Sequence, residues 1–166
     1  LMPDPVIEVE SVNIARKGKT IIEEADFTIE QGTYMGVVGP NGGGKTTLMQ
    51  AILGILPLEK GSIKILGTPI HQFEQWNKLA FVSQYSINFN EKFPLTVREL
   101  VSLGRINKTN LGRPLKNSDW KEVDEALNFM GISNLANRRI GQLSGGQKQR
   151  VFVAKAIVRK PQVLIL

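Results

Sequence analysis

The stretch that decides the fold is Gly39-Pro40-Asn41-Gly42-Gly43-Gly44-Lys45-Thr46-Thr47. It lies between an apolar run at 35–38 and a helix-like run at 48–56. A strand, a glycine-rich loop and a helix, in that order, form the setting in which Gly-x-x-x-x-Gly-Lys-[Ser/Thr] cradles phosphate. Glycines allow positive φ angles, so successive backbone N–H groups can turn inward toward an anion. The stretch therefore predicts a nucleotide site.

Three side chains of this stretch suit a nucleoside triphosphate and its magnesium ion. Lys45 would place a point charge on the β- and γ-phosphates, and the helix behind it would present its positive dipole end. Thr46 would place a hydroxyl on Mg²⁺, and Thr47 could reach another phosphate oxygen. A glycine-rich turn that matches by chance is the competing interpretation, and the strand and helix around the loop argue against it.

Composition indicates an ordinary globular chain. Of its 166 residues 42% are hydrophobic and none is cysteine, which excludes disulfides, thiolate metal sites and cysteine nucleophiles. No apolar run approaches the roughly 18 residues that a membrane helix needs. The first residues lack the basic and then apolar layout of a signal peptide. We expect one soluble, cytoplasmic domain.

The net charge of +6 is distributed unevenly along the chain. Residues 1–104 carry 9 basic and 11 acidic side chains, whereas residues 105–166 carry 12 basic and 4 acidic ones. A basic half can indicate a nucleic-acid partner or an anionic membrane surface. Aromatic residues are not interleaved with these charges, as stacking on single strands would require. Solvated cations on helix faces are the favoured interpretation.

Apolar runs and turn residues predict the strands of an α/β protein. The first 33 residues are expected to form antiparallel strands, at 6–10 and 27–30. A buried strand at 34–38 leads into the phosphate loop, and the helix that follows is expected to reach Gly54. Further strands are expected at 61–66, 79–82 and 162–166, the last of them without neighbours and therefore an exposed edge.

Two further helices interrupt this alternation of strands and helices. Thr96 and Glu99 form a capping box that starts one helix, which ends at Gly104. Asp119 and Glu122 form a similar cap for the next helix, with Gly131 as its end. We therefore place a helical subdomain within an α/β core. The approximate limits are 1–33 for antiparallel strands, 34–94 for the phosphate-loop core, 95–143 for the helical subdomain and 144–166 for the last helix and strand.

The run Leu143-Ser144-Gly145-Gly146-Gln147 opens the last helix. Ser144 and Gln147 form a capping box, so a well-capped helix start is one interpretation. Two glycines at a helix N-terminus also make a second anion site, because bare N–H groups and the helix dipole act together. The chain thus has two helix ends suited to phosphate, and one nucleoside triphosphate is their natural common ligand.

Three features resemble the ATP-binding subunits of ABC transporters: the loop at 39–46, Gln84 at a strand end, and Leu-Ser-Gly-Gly-Gln at 143–147. The resemblance covers nearly the whole chain. It implies a P-loop NTPase core of the ABC ATPase type, with an N-terminal antiparallel β-subdomain and an inserted helical subdomain. It also implies ATP and Mg²⁺ as ligands, and a role for Gln84 in sensing Mg²⁺ and the attacking water.

The resemblance further implies a head-to-tail dimer, either a homodimer or a paired ABC subunit. In this family the signature run of one subunit closes over the ATP that the phosphate loop of another subunit holds. Ser144, Gly145, Gly146 and Gln147 would then contact the γ-phosphate across the interface. Two anion sites on one chain need not face each other if a symmetric partner supplies the pairing.

Residues 93–101 and 137–144 resemble importers of metal ions, especially zinc or manganese, with iron-chelate and cobalamin importers close behind. The resemblance implies that the subunit powers such an importer, peripheral on the inner face of the cell membrane through a transmembrane permease. The permease would dock near residues 85–95, and a solute-binding protein would be an indirect partner. The transported solute is selected by those partners.

The chain departs from the family pattern at two places. The family usually has an aromatic residue that stacks on adenine, and Arg16 stands about where it belongs. A guanidinium can stack on a base, and we expect weak discrimination between ATP and GTP. The magnesium-binding aspartate and the catalytic glutamate would lie beyond Leu166, so the 166 residues alone are expected to be inactive.

Two other functions remain open at this point. A soluble ABC ATPase that acts on nucleic acid would suit the basic half, but the chain has no coiled-coil insertion, and we expect no nucleic-acid partner. A nucleotide-binding module without catalysis would describe the 166 residues as they stand. Mg²⁺-dependent hydrolysis separates this module from an ATPase, and stimulation by nucleic acid separates the soluble ATPase from a transporter subunit.

Overall fold

The computed structural model of the chain describes residues 4–83 and 94–166. It divides into two compact units, Leu1–Trp76 and Asn77–Leu166. Gln84 and most of the predicted docking segment at 85–95 lie outside the described residues.

The first unit is built on a four-stranded antiparallel sheet with the order β2-β1-β3-β4. Alternating apolar residues of the first strand, such as Val9 and Ile14, are buried. Lys17 and Gly18 both have positive φ angles in the two-residue turn between the first two strands, as type I′ hairpins require. The predicted antiparallel strands are confirmed and are longer than expected: β1 Pro5–Arg16, β2 Lys19–Glu30, β3 Lys60–Ile65 and β4 Thr68–Pro69.

Helix α1 (Lys45–Ile52) packs on this sheet, against β1 and β2. Leu48, Ala51 and Ile52 form its buried face. The helix ends two residues before Gly54, whose N–H donates to the carbonyl of Ala51 at 2.9 Å. The helix predicted after the phosphate loop is therefore present, anchored by its apolar face.

The buried strand predicted at 34–38 is absent. Tyr34 and Val38 are 94% and 93% exposed, and these residues pair with no strand among the described residues. An apolar run becomes a buried strand only when a neighbouring strand accepts its hydrogen bonds and a second layer covers it. Neither condition is met here, so the apolar composition misled the prediction.

The second unit contains the parallel pair β5 (Leu79–Phe81) and β6 (Val163–Ile165). The N–H of Val82 donates to the carbonyl of Ile165 at 2.9 Å and extends the pairing. The strand predicted at 162–166 is confirmed, but the expectation that it lacks neighbours is wrong. Parallel strands can pair across a long stretch of sequence, and local patterns do not predict that pairing.

Three helices form the core of the second unit: α2 (Val97–Ser102), α3 (Asn117–Phe129) and α4 (Gly145–Ile157). Their apolar faces meet in one cluster, which includes Val97, Leu100, Val101, Val123, Leu127, Ile140, Leu143, Val151 and Ala154. Short 3₁₀ turns follow α2 and precede α4. The predicted helical region is therefore a packed bundle with its own core.

The helix caps agree with the sequence at α2 but not at α3. Thr96 and Glu99 form the predicted capping box of α2. In α3 the residue before the helix is Lys116, whose N–H donates to Asp119 at 3.0 Å. The predicted cap of Asp119 with Glu122 is wrong because Asp119 takes the third helical position, where its carboxylate accepts from a backbone N–H.

Arginine side chains link the three helices. Arg98 of α2 makes two hydrogen bonds to Asp124 of α3, at 2.8 and 2.9 Å, and lies over the Trp120 ring. Arg105 donates to Asp119 of α3 and to the carbonyl of Val158 after α4. These contacts are directional, so they fix how the helices lie against one another.

Four acidic side chains of the helical region make its stability sensitive to acid. Hydrogen bonds lower the pKa of each of these carboxyls. Thr96 donates to Glu99 and Lys116 to Asp119. Lys160 donates to Glu122 and Arg98 to Asp124. A carboxyl with a lowered pKa in the folded state binds protons more tightly when unfolded, so the stability it contributes is lost as pH falls.

We expect the free energy of unfolding to change little between pH 7 and about pH 5. It should decrease once the pH falls below the ordinary pKa values of these carboxyls, which are 4.5 for Glu and 3.8 for Asp. Urea unfolding at pH 7, 5 and 3.5 measures this. Glu99→Gln should reduce the dependence on pH, with the exposed Glu125 as the control position. Stability that rises on acidification would contradict the assignment.

Candidate functional site

Helix α1 begins on a glycine that cannot cap it. Gly44 precedes the helix with φ +85°, and a Cβ there would lie 2.6 Å from the Ile22 side chain of β2. Only glycine fits this position without strain. The first turn has no capping side chain, unlike those of α2 and α4. Its orphan N–H groups and the positive end of the helix dipole are thus directed at the loop, where an anion can satisfy them.

The Lys45 side chain folds back over the loop before it. Its Nζ donates to the carbonyl of Gly39 at 2.6 Å and to that of Pro40 at 2.7 Å. An ammonium group has three N–H donors, so one donor remains for a phosphate oxygen. These two bonds hold the charge at the mouth of the loop.

The loop itself is compact and exposed. The N–H of Gly43 donates to the carbonyl of Pro40 at 3.1 Å, and Gly42 has φ +82°. A Cβ on Gly43 would lie 3.0 Å from the same carbonyl, so this turn leaves little room for a side chain. Residues 39–43, Asn41 among them, are exposed to solvent. The backbone can therefore approach a ligand closely.

Two threonines follow the lysine in different environments. Thr46 is exposed and Thr47 is buried. The Thr46 hydroxyl is therefore the one that a hydrated metal ion can reach. Among residues 4–83 and 94–166, no cluster of three His, Asp or Glu side chains could hold a metal ion. A single exposed hydroxyl such as that of Thr46 can serve as a ligand of Mg²⁺, which commonly binds through one or two protein oxygens, water and substrate phosphates.

Arg16 lies at the end of the sheet where α1 begins. It is exposed, is the last residue of β1 and pairs with Lys19 across the hairpin. Ile22, which contacts Gly44, pairs with Ile14, two residues from Arg16. Two strand residues span about 7 Å. The first unit thus places the Arg16 backbone at the same end of the sheet as the phosphate loop.

The signature run forms the predicted capping box. The Ser144 Oγ accepts from the Gln147 N–H at 3.3 Å, and the Gln147 side chain accepts from the Ser144 N–H at 3.0 Å. A hydroxyl that accepts still has one hydrogen to donate. Gly145 and Gly146 are exposed, and a Cβ on Gly146 would meet nothing within 4 Å. The chain's own packing therefore gives no reason for glycine at 146.

The sequence-predicted residues are divided between the two units. The phosphate loop and Arg16 belong to the first unit and the signature run to the second. Sequence reasoning missed the backbone pairing of residues 95–98 with residues 136–140. Pairing between short segments about 40 positions apart leaves no local pattern, so no signal in the sequence could have found it.

A comparison of the sequence with known protein families identifies the family of the chain. The profile of the ABC transporter family matches residues 22–166. The chain belongs to the ABC transporter family. The predicted fold class, an α/β P-loop NTPase of the ABC ATPase type, is confirmed, and ATP-binding domains of this family are ATPases. No helix in the described part of the chain is both long and apolar enough to span a membrane.

Individual ABC proteins resemble the chain over nearly its whole length. The zinc uptake system ATP-binding protein ZurA of Listeria innocua is 42% identical over 97% of the chain and 63% of its own length. The manganese transport system ATP-binding protein MntB of Listeria monocytogenes is 35% identical over 96% of the chain and 65% of its own length. The chain thus spans less than two thirds of these relatives.

A solved structure gives the same result. The cbiO1 protein from Clostridium perfringens, part of the ABC transporter complex cbiONQ, superposes with a TM-score of 0.83. Its sequence is 31% identical, and the match covers 97% of this chain and 64% of that one.

Proposed function

We propose that the native protein is the ATP-binding and ATP-hydrolysing subunit of an ABC importer for metal ions or metal chelates. The observation that carries the proposal is that two helix starts each expose N–H groups to a ligand. Helix α1 begins on an uncapped glycine with Lys45 over the loop, and α4 begins on two exposed glycines. Both starts offer N–H donors to an anion in a chain of the ABC transporter family.

In a sandwich dimer, the start of α1 in one subunit and the start of α4 in the other bind the same ATP molecule. The dimer is either a homodimer or a pair with another ABC subunit. The exposed Gly146, which the fold does not require, supports this reading, because a Cβ there would obstruct only something outside the chain. In the dimer Ser144, Gly145, Gly146 and Gln147 contact the γ-phosphate of the ATP held by the other subunit. Two equal subunits in head-to-tail contact supply two such sites.

Within each site the residues have distinct tasks. Lys45 neutralises the β- and γ-phosphates, the backbone of residues 39–44 surrounds them, and Thr46 holds Mg²⁺. The metal ion would bridge phosphate oxygens and neutralise their charge. Gln84, which lies outside the described residues, is proposed to sense Mg²⁺ and the attacking water, as the family resemblance implies.

The transport assignment rests on the relatives. Zinc and manganese appear in the names of proteins that resemble nearly the whole chain, so a metal ion or metal chelate is the proposed cargo. A transmembrane permease is the proposed direct partner, docking near residues 85–95, and a solute-binding protein is the indirect one. The subunit would lie on the cytoplasmic face of the membrane. The subdivision at 1–33, 34–94, 95–143 and 144–166 is retained as part of this proposal.

Reconstitution with the cognate permease and binding protein in liposomes tests the function. Uptake of zinc, manganese and chelated iron is measured with Mg-ATP or with a non-hydrolysable analogue inside the vesicles. We expect one of these cargoes to accumulate only with hydrolysable ATP, and the release of phosphate to rise with it. Hydrolysis that responds to nucleic acid but not to the permease would refute the transport assignment.

Base selectivity provides a separate prediction. Arg16 stands at the proposed position of the base, and a guanidinium stacks on any purine. We expect GTP to displace ATP with an affinity within roughly tenfold of that of ATP, because stacking is sequence-tolerant. Arg16→Tyr should tighten both nucleotides, whereas Lys17→Tyr, one position along the same turn, should not. Competition titration measures this, and a strong preference for ATP would refute the role of Arg16.

A further inference from the structure

The phosphate loop contains Asn41-Gly42, the only place in the chain where glycine follows asparagine. An asparagine side chain can react with the backbone nitrogen of the next residue. That reaction is easiest before glycine, which has no Cβ to shield the nitrogen. Aspartate followed by glycine reacts by the same route, and the chain has no such pair. Position 41 is therefore the one position in the sequence where no neighbouring side chain hinders this reaction.

Both reacting groups are accessible in the folded loop. Asn41 and Gly42 are exposed to solvent. Within the part of the chain that the structure describes, neither the Asn41 side chain nor the Gly42 N–H has a hydrogen-bond partner. The next N–H, that of Gly43, donates instead to the carbonyl of Pro40 at 3.1 Å. The described contacts therefore block neither the side-chain carbonyl carbon of Asn41 nor the backbone nitrogen of Gly42.

Positive charge surrounds this pair of residues. The Lys45 Nζ lies 2.7 Å from the carbonyl oxygen of Pro40, the residue directly before Asn41. Helix α1 begins at Lys45, and its first turn has no capping side chain. The attacking group is the deprotonated Gly42 nitrogen, and nearby positive charge favours a negatively charged group over its neutral form. The electrostatics that suit phosphate therefore also favour this reaction while the loop holds no phosphate.

We propose that Asn41 is a deamidation site through which the phosphate loop inactivates itself when no nucleotide is bound. The Gly42 nitrogen bonds to the side-chain carbonyl carbon of Asn41, and the bond from that carbon to the amide nitrogen breaks. Ammonia leaves with the hydrogen of the Gly42 N–H, and a five-membered cyclic imide remains. Water then opens the imide at either carbonyl and leaves aspartate or isoaspartate at position 41. Water is the only co-reactant.

Either product would weaken the binding of a nucleoside triphosphate. Both carry a carboxylate, whose negative charge repels the phosphates that Lys45 attracts. Isoaspartate also lengthens the backbone inside the turn that the Gly43 N–H and the Pro40 carbonyl close. This consequence rests on the proposed function, because it requires that the loop binds nucleotide. The reaction at Asn41 requires only the loop itself.

Bound nucleotide should protect the site. Phosphate in the loop would accept hydrogen bonds from its N–H groups, and its negative charge would disfavour deprotonation of the Gly42 nitrogen. When a non-hydrolysable ATP analogue with Mg²⁺ is present at ten times its Kd, about a tenth of the chains hold no ligand. We therefore expect roughly tenfold slower deamidation under those conditions. The extent of deamidation would then record how long the loop has been without nucleotide.

Peptide mapping by mass spectrometry measures the reaction while the native protein is incubated at mildly alkaline pH, with and without the analogue. The internal reference is Asn117, which is exposed and precedes the small residue Ser118 but lies in the first turn of α3. Without ligand, we expect position 41 to deamidate at least about tenfold faster, because helical dihedral angles hinder ring closure at Asn117. A rate at position 41 no faster than at Asn117, or equal rates with and without bound analogue, would overturn the proposal.

Titration with ATP during the same incubation links the reaction to binding. The native protein should lose ATP affinity in step with deamidation, whereas Asn41→Gln, whose longer side chain closes a ring less readily, should keep its own starting affinity. Asn41→Asp, which matches asparagine in shape, should bind ATP about tenfold more weakly than the unmodified protein. Full ATP binding by deamidated protein or by Asn41→Asp would overturn the inactivation.

The failure of this inference and the failure of the proposed function give different results. A native protein that never binds ATP would refute the proposed function. Mass spectra of the unliganded protein would still decide whether Asn41 deamidates faster than Asn117.

Discussion

Replacing Lys45 with methionine is expected to weaken ATP binding about tenfold to a hundredfold, since the charge-assisted bond from its remaining donor to phosphate, about 1.5–3 kcal/mol, would be lost. Methionine keeps the aliphatic stem and removes the ammonium group, which now lies within 2.7 Å of two loop carbonyls. The loop would lose both of those bonds as well as the charge offered to phosphate. Isothermal titration of the native protein with Mg-ATP measures the change.

The matched control is Lys60→Met, which removes one exposed cation from β3 in the same unit. Its ATP affinity should stay within twofold of the unmodified protein, because loss of net charge alone is screened at physiological salt. If both variants lost affinity equally, the effect of Lys45 would be one of general charge. If neither did, the loop would not be the phosphate site.

Gly146→Ala is expected to abolish most ATP turnover while leaving the fold intact. A Cβ there meets no atom of the chain within 4 Å, and alanine is a better helix former than glycine by about 1 kcal/mol. The unfolding free energy should therefore stay the same or rise. In the dimer the same methyl group would lie between the N–H groups and the γ-phosphate, so hydrolysis should fall at least tenfold.

Gly104→Ala is the opposite case and serves as the control. A Cβ on Gly104 would meet the carbonyl oxygen of Lys155 in α4. Overpacking of this kind lowers the free energy of unfolding by about 1–3 kcal/mol, so we expect a clear drop in the urea midpoint. Gly104→Ala would thus lower the stability of the fold, whereas Gly146→Ala would lower the rate of ATP hydrolysis. Gly146→Ala with full hydrolysis, or with a large loss of stability, would contradict its place in a dimer interface.

The parts of the fold predicted from sequence are those set by neighbouring residues. The hairpin of β1 and β2, the helix after the phosphate loop, and the capping boxes at Thr96 and Ser144 each depend on a few adjacent side chains. Period-2 and helical patterns and capping residues report such local preferences directly.

The wrong predictions concern partners that are distant in sequence. The run at 34–38 is apolar enough for a buried strand, yet Tyr34 and Val38 are exposed because no described strand pairs with them. The strand at 162–166 was expected to lack neighbours and instead pairs with β5. At α3 the residue before the helix is Lys116 and Asp119 takes the third helical position, and the bond from Arg105 to Asp119 was not visible in sequence.

The sequence predicted which residues form the candidate site but not the contacts and burial of their side chains. Gly44, Lys45 and Thr46 follow from the motif and its context. That Lys45 donates to Gly39 and Pro40, and that Thr47 is buried, depends on side-chain packing that no motif specifies. The backbone pairing of residues 95–98 with residues 136–140 likewise depends on the folded chain.

The central claim is that each ATP site is shared by two subunits. Mixing Lys45→Met with Gly146→Ala tests it, because each mixed dimer would contain one intact pair of a phosphate loop and a signature run from opposite subunits. We predict that ATP retained through rapid gel filtration is absent from either variant alone and appears on mixing. The double variant mixed with unmodified protein should form no retaining mixed dimers. No retention in the mixture of single variants would contradict the shared site.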